Sequence, residues 1–401
     1  MRIGLFSDSY YPHVSGVSTS VEMLRETLEK MGHRVFVVAP NLYDNKFKYD
    51  KGNGIIWLPG IKTGIYNTKL TRFYSSRAMF IIKNEWKLDI IHSHTEFGVG
   101  YFSRIVSRKL KIPIVHTYHT LYEDYLHYIA KGKRTKLLKK IVIKLTRYYC
   151  DKKCDELIVP TNKIKKLFNS KYNIKRKMHV IPSGIDLRKF YPNEKILEKV
   201  KTLKRRYKIK DKDFVLGSVG RIASEKSFDK IIYNLKDLVA INSNIKLMLV
   251  GDGPDIDNLK QLTKELELEG NVVFTGLVDY SLIESFYQVF DVLVSYSKTE
   301  TQGLTIIEGL AANKPAICIK DDSFKEMVRD GYNGFLVKND KEFKEKVLLF
   351  IKDNYTYTIM CRNARASVEN YSKEAFANNI LKVYELALEK KKAKKKGLFR
   401  K

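Results

Sequence analysis

Short aliphatic and β-branched runs recur along this chain, each followed by a segment of helical periodicity, and the series occurs twice. The first series opens at residues 2–6, crosses a Gly- and Ser-containing loop and enters a helical pattern over 17–31. Gly32 stops that helix, and a buried-type run follows at 34–39. Further strand-like runs stand at 55–58, 90–92 and 114–116. The second series reads as strand 214–219, helix 227–242, strand 245–250, helix 254–268, strands 272–275 and 292–295, helix 304–312 and strand 316–319. Strands this uniformly apolar need cover on both faces, and alternation with helices supplies it through a parallel sheet. The chain is therefore expected to be α/β, with two doubly wound domains. Their ligands would bind beyond the carboxyl ends of the strands. A polar, Lys-rich stretch at 187–213 separates the series, so the domains are placed at 1–190 and 191–372. Residues 373–391 read as one more helix, followed by a basic tail that completes a segment 373–401.

Lys and Arg number 74 against 45 Asp and Glu, a formal charge of +29. A field of that sign attracts phosphates, whether on nucleotides, nucleic acids or anionic membranes. No run approaches the roughly 20 apolar residues that cross a bilayer. The opening MRIGLF enters a strand directly, without the basic and long apolar regions of a signal peptide. The four cysteines, Cys150, Cys154, Cys318 and Cys361, lack paired metal-site spacing and are read as reduced thiols. These features together predict a cytoplasmic protein.

The chemistry concentrates in a few loops. In Thr299–Asn313, a strand end is followed by Glu300, then by a helix starting near Gly303 that carries Glu308. The free N–H groups of that helix start, at Gly303, Leu304 and Thr305, suit a diphosphate. Glu300 would accept hydrogen bonds from a sugar and Glu308 would grip a ribose diol. The competing reading makes Glu300 a helix cap and Glu308 a solvated residue. Arg221 and Lys226 follow the strand 214–219 and offer a guanidinium fork and a point charge to phosphate oxygens. Gly251, in Gly251-Asp-Gly-Pro254, permits close backbone approach, either to a donor or simply within a strand-to-helix turn. In the first half, Gly16 stands between the first strand and helix, and His116-Thr-Tyr-His119-Thr120 follows the strand at 114. Asp211, Asp213, Asp255 and Asp257 have metal-motif spacing but read as turns and a helix start, so no metal is assigned.

In this order, with Ile181-Pro-Ser-Gly-Ile-Asp186, these pieces resemble the retaining glycosyltransferases of family 4 over nearly the whole chain. The family's usual Asn is replaced by Ser183 in that last stretch. The resemblance implies the GT-B fold, two Rossmann-like domains facing a cleft, with the C-terminal helix packing back toward the N-terminal domain. It implies that Arg221 and Lys226 neutralise a leaving diphosphate and that Glu308 binds ribose. Glu300 and His119 would hold the transferred sugar, and Gly16, Gly251, Gly303, Leu304 and Thr305 would line the nucleotide-sugar. It also implies that no metal or other cofactor is needed.

The acceptor is read from 133–150, KRTKLLKKIVIKLTRYYC. Leu137, Leu138, Ile141, Val142, Leu145, Tyr148 and Tyr149 share one helical face, while Lys133, Lys136, Lys139, Lys140, Lys144 and Arg147 supply the charge. Such a helix either lies on an anionic membrane or packs its stripe on its own domain. A second basic and apolar segment spans 69–87. Within the family, the first 17 residues most resemble bacterial diacylglycerol glucosyltransferases. This implies UDP-glucose as donor, 1,2-diacylglycerol as acceptor, an α linkage and a peripheral position on the inner face of the cell membrane. Mannosyl transfer to phosphatidylinositol or glycosylation of a non-lipid acceptor are the alternatives. Nucleic-acid binding is disfavoured, because the basic residues interleave with aliphatic rather than stacking aromatic ones.

Overall fold

The computed structural model describes residues 1–13, 15–62, 69–121, 133–300 and 302–398, with the side chains of all these but 62, 133–137 and 394–398. The chain divides into two compact units, Met1–Gly184 with the segment from Lys373, and Ile185–Ser372.

The first unit holds strands β1 (Arg2–Phe6), β2 (Arg34–Pro40), β3 (Lys48–Asp50), β4 (Ile55–Leu58), β5 (Gly60–Lys62), β6 (Lys69–Thr71), β7 (Ile90–Ser93), β8 (Ile114–Thr117), β9 (Glu156–Val159) and β10 (Met178–Val180). Eight of them form one sheet in the order β10-β9-β8-β7-β1-β2-β4-β3, parallel except for β3 against β4. Successive side chains alternate across it: Leu5 and Val37 enter one core, Phe6 and Val38 the other. Both faces are covered, so both parities are apolar. The helix Lys373–Leu398 covers one face. Its Phe376, Ala377, Ile380, Val383, Tyr384 and Ala387 form a stripe at helical spacing, buried with Val21, Leu24 and Leu28 of helix Gly16–Lys30. Each fully buried large apolar side chain contributes about 1.5–3 kcal/mol. The helix thus returns to the first unit and, unlike the sequence reading, does not stop at 391. Lys and Ala are strong helix formers, and Gly397 is the one weak residue before Leu398.

The second unit holds β11 (Phe214–Val219), β12 (Ile245–Val250), β13 (Val272–Phe274), β14 (Val292–Ser295), β15 (Ala316–Ile319) and β16 (Gly334–Val337). They form a wholly parallel sheet in the order β13-β12-β11-β14-β15-β16. Strand order reverses between β11 and β14, which opens a ligand crevice beyond their carboxyl ends.

The stretch 187–213 is not a linker. It contains a helix, Glu194–Arg206, capped by Asn193, whose Ile196, Val200 and Leu203 enter the core of the second unit. The lysines between them mask that stripe in sequence. The units part at Gly184 and Ile185, ahead of the whole stretch. The segment 69–87 likewise is not one amphipathic helix. It runs through β6, a short helix Ser76–Ile81 and a wider turn Ile82–Trp86, with Met79, Ile81 and Ile82 buried and Phe73, Tyr74 and Phe80 exposed.

Candidate functional site

In the second unit, β11 and β14 deliver the charged groups. Past β11 the chain turns at Gly220 and reaches Arg221, then a single 3-10 turn, Ser224–Lys226. Past β14 it reaches Glu300 and enters helix Leu304–Ala311 at Gly303, whose φ of +74° and close neighbours Phe324 and Met327 favour glycine. The N-cap position is Gly303 itself, which has no side chain to cap the helix start. Glu300 does something else: its Oε1 lies 2.5 Å from Lys226 Nζ. Arg221 donates to the Glu225 carboxylate in the same way. Ser218, Lys226, Glu300 and Thr305 line one small cavity at the point where strand order reverses. Lys226, Glu300 and Thr305 are thus brought together, while Arg221 is paired with Glu225 four residues on.

Glu308 is buried, which removes the reading of it as a solvated residue. Tyr287 donates its hydroxyl to Glu308 Oε2 at 2.6 Å. Burial pushes the carboxyl up to about 7, with the Tyr287 bond, the Lys189 charge and the Tyr280 hydroxyl pulling the other way. Lys189 is held beneath the Tyr280 ring at 3.8 Å and donates to Tyr280 O at 2.9 Å. Gly251 has a backbone explanation of its own. A Cβ there would meet Gly220 O at 2.0 Å, because the loops after β11 and β12 lie backbone to backbone, laced by Gly220 N to Val250 O and Ile222 N to Asp252 O. Glu225, Tyr280 and Tyr287 do not stand out in sequence. Glu225 has only its four-residue offset from Arg221 as a signal.

In the first unit, strand order reverses between β1 and β7, and the loops after β1, β7 and β8 carry the polar groups. Gly16 opens helix Gly16–Lys30, capped by Ser15 in a reciprocal box with Ser18, and Ser9 Oγ lies 2.8 Å from Ser15 Oγ. His119 Nε2 faces His94 Nδ1 at 3.0 Å with the rings stacked. Burial pushes His119 down to about 4, so at neutral pH it is an uncharged hydrogen-bonding group. His94 packs on His92, whose ring nitrogens reach the Tyr384 hydroxyl and Thr117 Oγ1, both at 2.7 Å. His116 is separate from this stack. It is fully buried, with Nδ1 2.9 Å from Ser93 O and Nε2 3.0 Å from Glu96 Oε1. Burial pushes His116 below the usual imidazole range, with the Glu96 hydrogen bond and charge pulling the other way.

Glu96, His116 and Cys150 place metal-type donor atoms within 4.8 Å of one another. A dication there would have to displace the proton of Cys150, a thiol that burial pushes well up, beside the Arg104 cation. His94 and Glu96 escape sequence reading. Their segment, His92-Ser-His-Thr-Glu-Phe97, carries the signal in its density of polar groups after a strand.

The helix Lys133–Arg147 divides its apolar residues between two faces. Ile143, Thr146 and, just beyond it, Tyr149 and Cys150 turn to the domain, whereas Ile141, Leu145 and Tyr148 form an exposed stripe. Lys139, Lys140, Lys144 and Arg147 are exposed beside it. The side chains of Lys133 and Lys136 lie outside the described residues. No helix among the described residues is long and apolar enough to cross a membrane.

Comparison with known proteins adds three findings. Residues 14–189 match the model of Glycosyltransferase Family 4, and residues 199–374 that of glycosyl transferases group 1. The chain is 34% identical over 390 residues to the alpha-monoglucosyldiacylglycerol synthase of Acholeplasma laidlawii, covering 96% of both chains. It is 34% identical over 377 residues to the Streptococcus pneumoniae protein of the same name, covering 93% of this chain and 84% of that one. Its fold matches the crystal structure of Anabaena Alr3699/HepE in complex with UDP-glucose, with a TM-score of 0.71 at 16% identity, over 96% of this chain and 99% of that one.

Proposed function

Because the chain belongs to the family 4 glycosyltransferases, we propose that it transfers glucose from UDP-glucose to the free hydroxyl of 1,2-diacylglycerol, with retention of anomeric configuration. The observation that carries the donor half is Lys226 held on Glu300 beside a helix that starts at a glycine. A diphosphate arriving there attracts Lys226 and Arg221 away from their carboxylates and onto its own oxygens. Glu300 is then released to accept hydrogen bonds from sugar hydroxyls. Glu308, with two carboxylate oxygens on the helix that receives the diphosphate, takes the ribose diol.

Reaction breaks the bond between glucose C1 and the diphosphate oxygen. The acceptor hydroxyl attacks the same face, and its proton passes to the departing phosphate oxygen. The new glycosidic bond is α, and UDP leaves. Charge develops on the diphosphate, where Arg221, Lys226 and the amides of Leu304 and Thr305 stabilise it without a metal. His119, held neutral, supplies a hydrogen-bonding group rather than a charge.

The acceptor half rests on the two relatives' names and on the exposed stripe Ile141, Leu145 and Tyr148 with its flanking cations. This helix docks the protein peripherally on an anionic membrane, each basic residue near the surface contributing about 1 kcal/mol. The test is transfer of radiolabelled glucose from UDP-glucose into organic-extractable lipid, with diacylglycerol in vesicles, with and without anionic lipid and a chelator. Product that rises with anionic lipid and is indifferent to chelator is expected. Label that stays in the aqueous phase would overturn the acceptor, and loss of product with chelator the metal independence.

A further inference from the structure

Three histidines of the first unit, His92, His94 and His119, are linked ring to ring. His92 is fully buried and engaged at both nitrogens, by Tyr384 of the returning helix and by Thr117 of β8. The His94 ring lies over it, with centroids 4.0 Å apart and a tilt of 35°. His94 is 2% exposed, and its Nε2 is closed to water and without a hydrogen-bond partner among the described residues. Its Nδ1 faces His119 Nε2 at 3.0 Å, with the two rings within 24° of parallel. His119 itself is half-buried, two residues past the end of β8. Tyr384 and Thr117 thus fix His92, His92 supports His94, and His94 meets His119.

Proton counting makes the last contact informative. Burial pushes both His94 and His119 below the usual imidazole range, so at neutral pH each ring carries one N–H. A hydrogen bond between two neutral rings holds one proton, and here that proton gives both rings the same tautomer. Placed on His94 Nδ1, it leaves His94 Nε2 bare, makes His119 Nε2 the acceptor and puts the His119 proton on Nδ1. Placed on His119 Nε2, it makes His94 Nδ1 the acceptor and puts the His94 proton on Nε2. The second arrangement orphans an N–H where neither water nor an acceptor reaches it. Orphaned buried N–H groups are rarer in folded proteins than under-satisfied acceptors, so the surroundings of His94 favour the first.

We propose that His94 is a positioning residue for His119: it occupies His119 Nε2, fixes the ring and leaves Nδ1–H as the donor offered to an oxygen of the transferred sugar. The inference rests on the reading of His119 as a group that holds the sugar. It adds the residue that orients His119 and the polarity of its bond. The sugar atom at that point accepts, as a hydroxyl or ring oxygen can.

The test uses the full chain. With ¹⁵N-labelled histidine, long-range proton–nitrogen spectra assigned by single substitutions should show His119 protonated at Nδ1 and bare at Nε2, without any substrate. Protonation at Nε2 would overturn the proposal. Kinetics test the positioning. His94→Phe keeps a ring on His92 and loses the nitrogen. It should lower kcat/KM for UDP-glucose at least about fivefold, while UDP, which lacks the sugar, binds as it does to wild type. His94→Asn, whose side-chain N–H reaches the place of Nδ1–H, should recover most of that loss. Added to His119→Ala, His94→Phe should cost nothing further, because its effect passes through His119. Tyr384→Phe removes one bond from His92 and should lower the melting temperature without that kinetic loss. If it reproduces the loss, or if His94→Phe loses UDP binding and turnover together, the stack is only structural and the proposal falls. Losses that multiply in the double variant would overturn it as well. If His94→Phe does not fold, the wild-type spectrum and His94→Asn decide. Normal turnover in a folded His119→Ala protein would instead remove His119 from the sugar, and the role of His94 with it.

Discussion

Lys226 and Glu300, 74 residues apart in the chain, meet with 2.5 Å between Nζ and Oε1 at the point where strand order reverses. Their side chains are 25% and 18% exposed, so the pair contributes little to stability, of the order of 1 kcal/mol or less. If both groups serve the donor, activity should respond far more than folding. Lys226→Ala is expected to lower kcat/KM at least about tenfold, about 1.4 kcal/mol of transition-state stabilisation, with thermal melting nearly unchanged. Initial rates over a range of UDP-glucose, beside a melting curve, check this. Near-normal turnover in a folded Lys226→Ala protein would remove Lys226 from the site.

Glu308 gives a pH signature. The unfolded chain titrates such a carboxyl near 4.5, and the folded protein at about 7. Between these values the folded state binds the extra proton, so stability falls as pH rises through the window and is constant outside it. Glu308→Gln lacks that titration. Its stability relative to wild type should climb by up to about 3 kcal/mol from pH 4.5 to 7, read by denaturant unfolding. The difference between the two proteins also cancels His92, His94 and His119, whose depressed values act in the opposite direction. A flat difference would mean that Glu308 is ionised throughout.

The sequence made the strands and the donor loops legible because each has a local cause. Phe214–Val219 and Ile245–Val250 are largely apolar runs followed by glycine, and their bounds coincide with β11 and β12. Glu300, Arg221 and Lys226 each stand in the loop that follows a strand. What stayed hidden depends on long-range pairing. Tyr287 reaches Glu308 across 21 residues, and Tyr384 reaches His92 across 292, distances over which no periodicity carries information. The helix Glu194–Arg206 was hidden differently, its three buried apolar residues outnumbered by lysines.

Gly220 and Gly251 allow a paired prediction on packing. Both have positive φ, +147° and +141°, but a Cβ on Gly220 would meet open space while one on Gly251 would meet Gly220 O at 2.0 Å. Gly220→Ala should therefore carry backbone strain alone, about 1–3 kcal/mol. Gly251→Ala must in addition push the two loops apart, and should be the more destabilising and the more damaging to UDP binding. Calorimetric melts and UDP titrations of the two variants compare them. Equal losses would mean that the loops do not need their close approach.

If the helix Lys133–Arg147 docks on a membrane as proposed, its exposed stripe separates the two forces that would hold it there. Ile141, Leu145 and Tyr148 offer apolar area, and Lys140, Lys144 and Arg147 offer charge. Lys140→Glu with Lys144→Glu should release the protein from anionic vesicles, and the wild-type interaction should weaken with salt as the Debye length falls to about 8 Å at 0.15 M. Ile141→Ser with Leu145→Ser removes apolar area without changing charge. Its residual binding should be weaker at every salt concentration and should retain the wild type's relative salt dependence, since the lysines remain. Ile143→Ser serves as the control, because Ile143 packs on the core and its loss should lower melting temperature rather than vesicle binding. Sedimentation at several salt concentrations distinguishes the three. If the Ile141 and Leu145 variant behaves like the Ile143 variant, the stripe belongs to the fold and the membrane is held by charge alone.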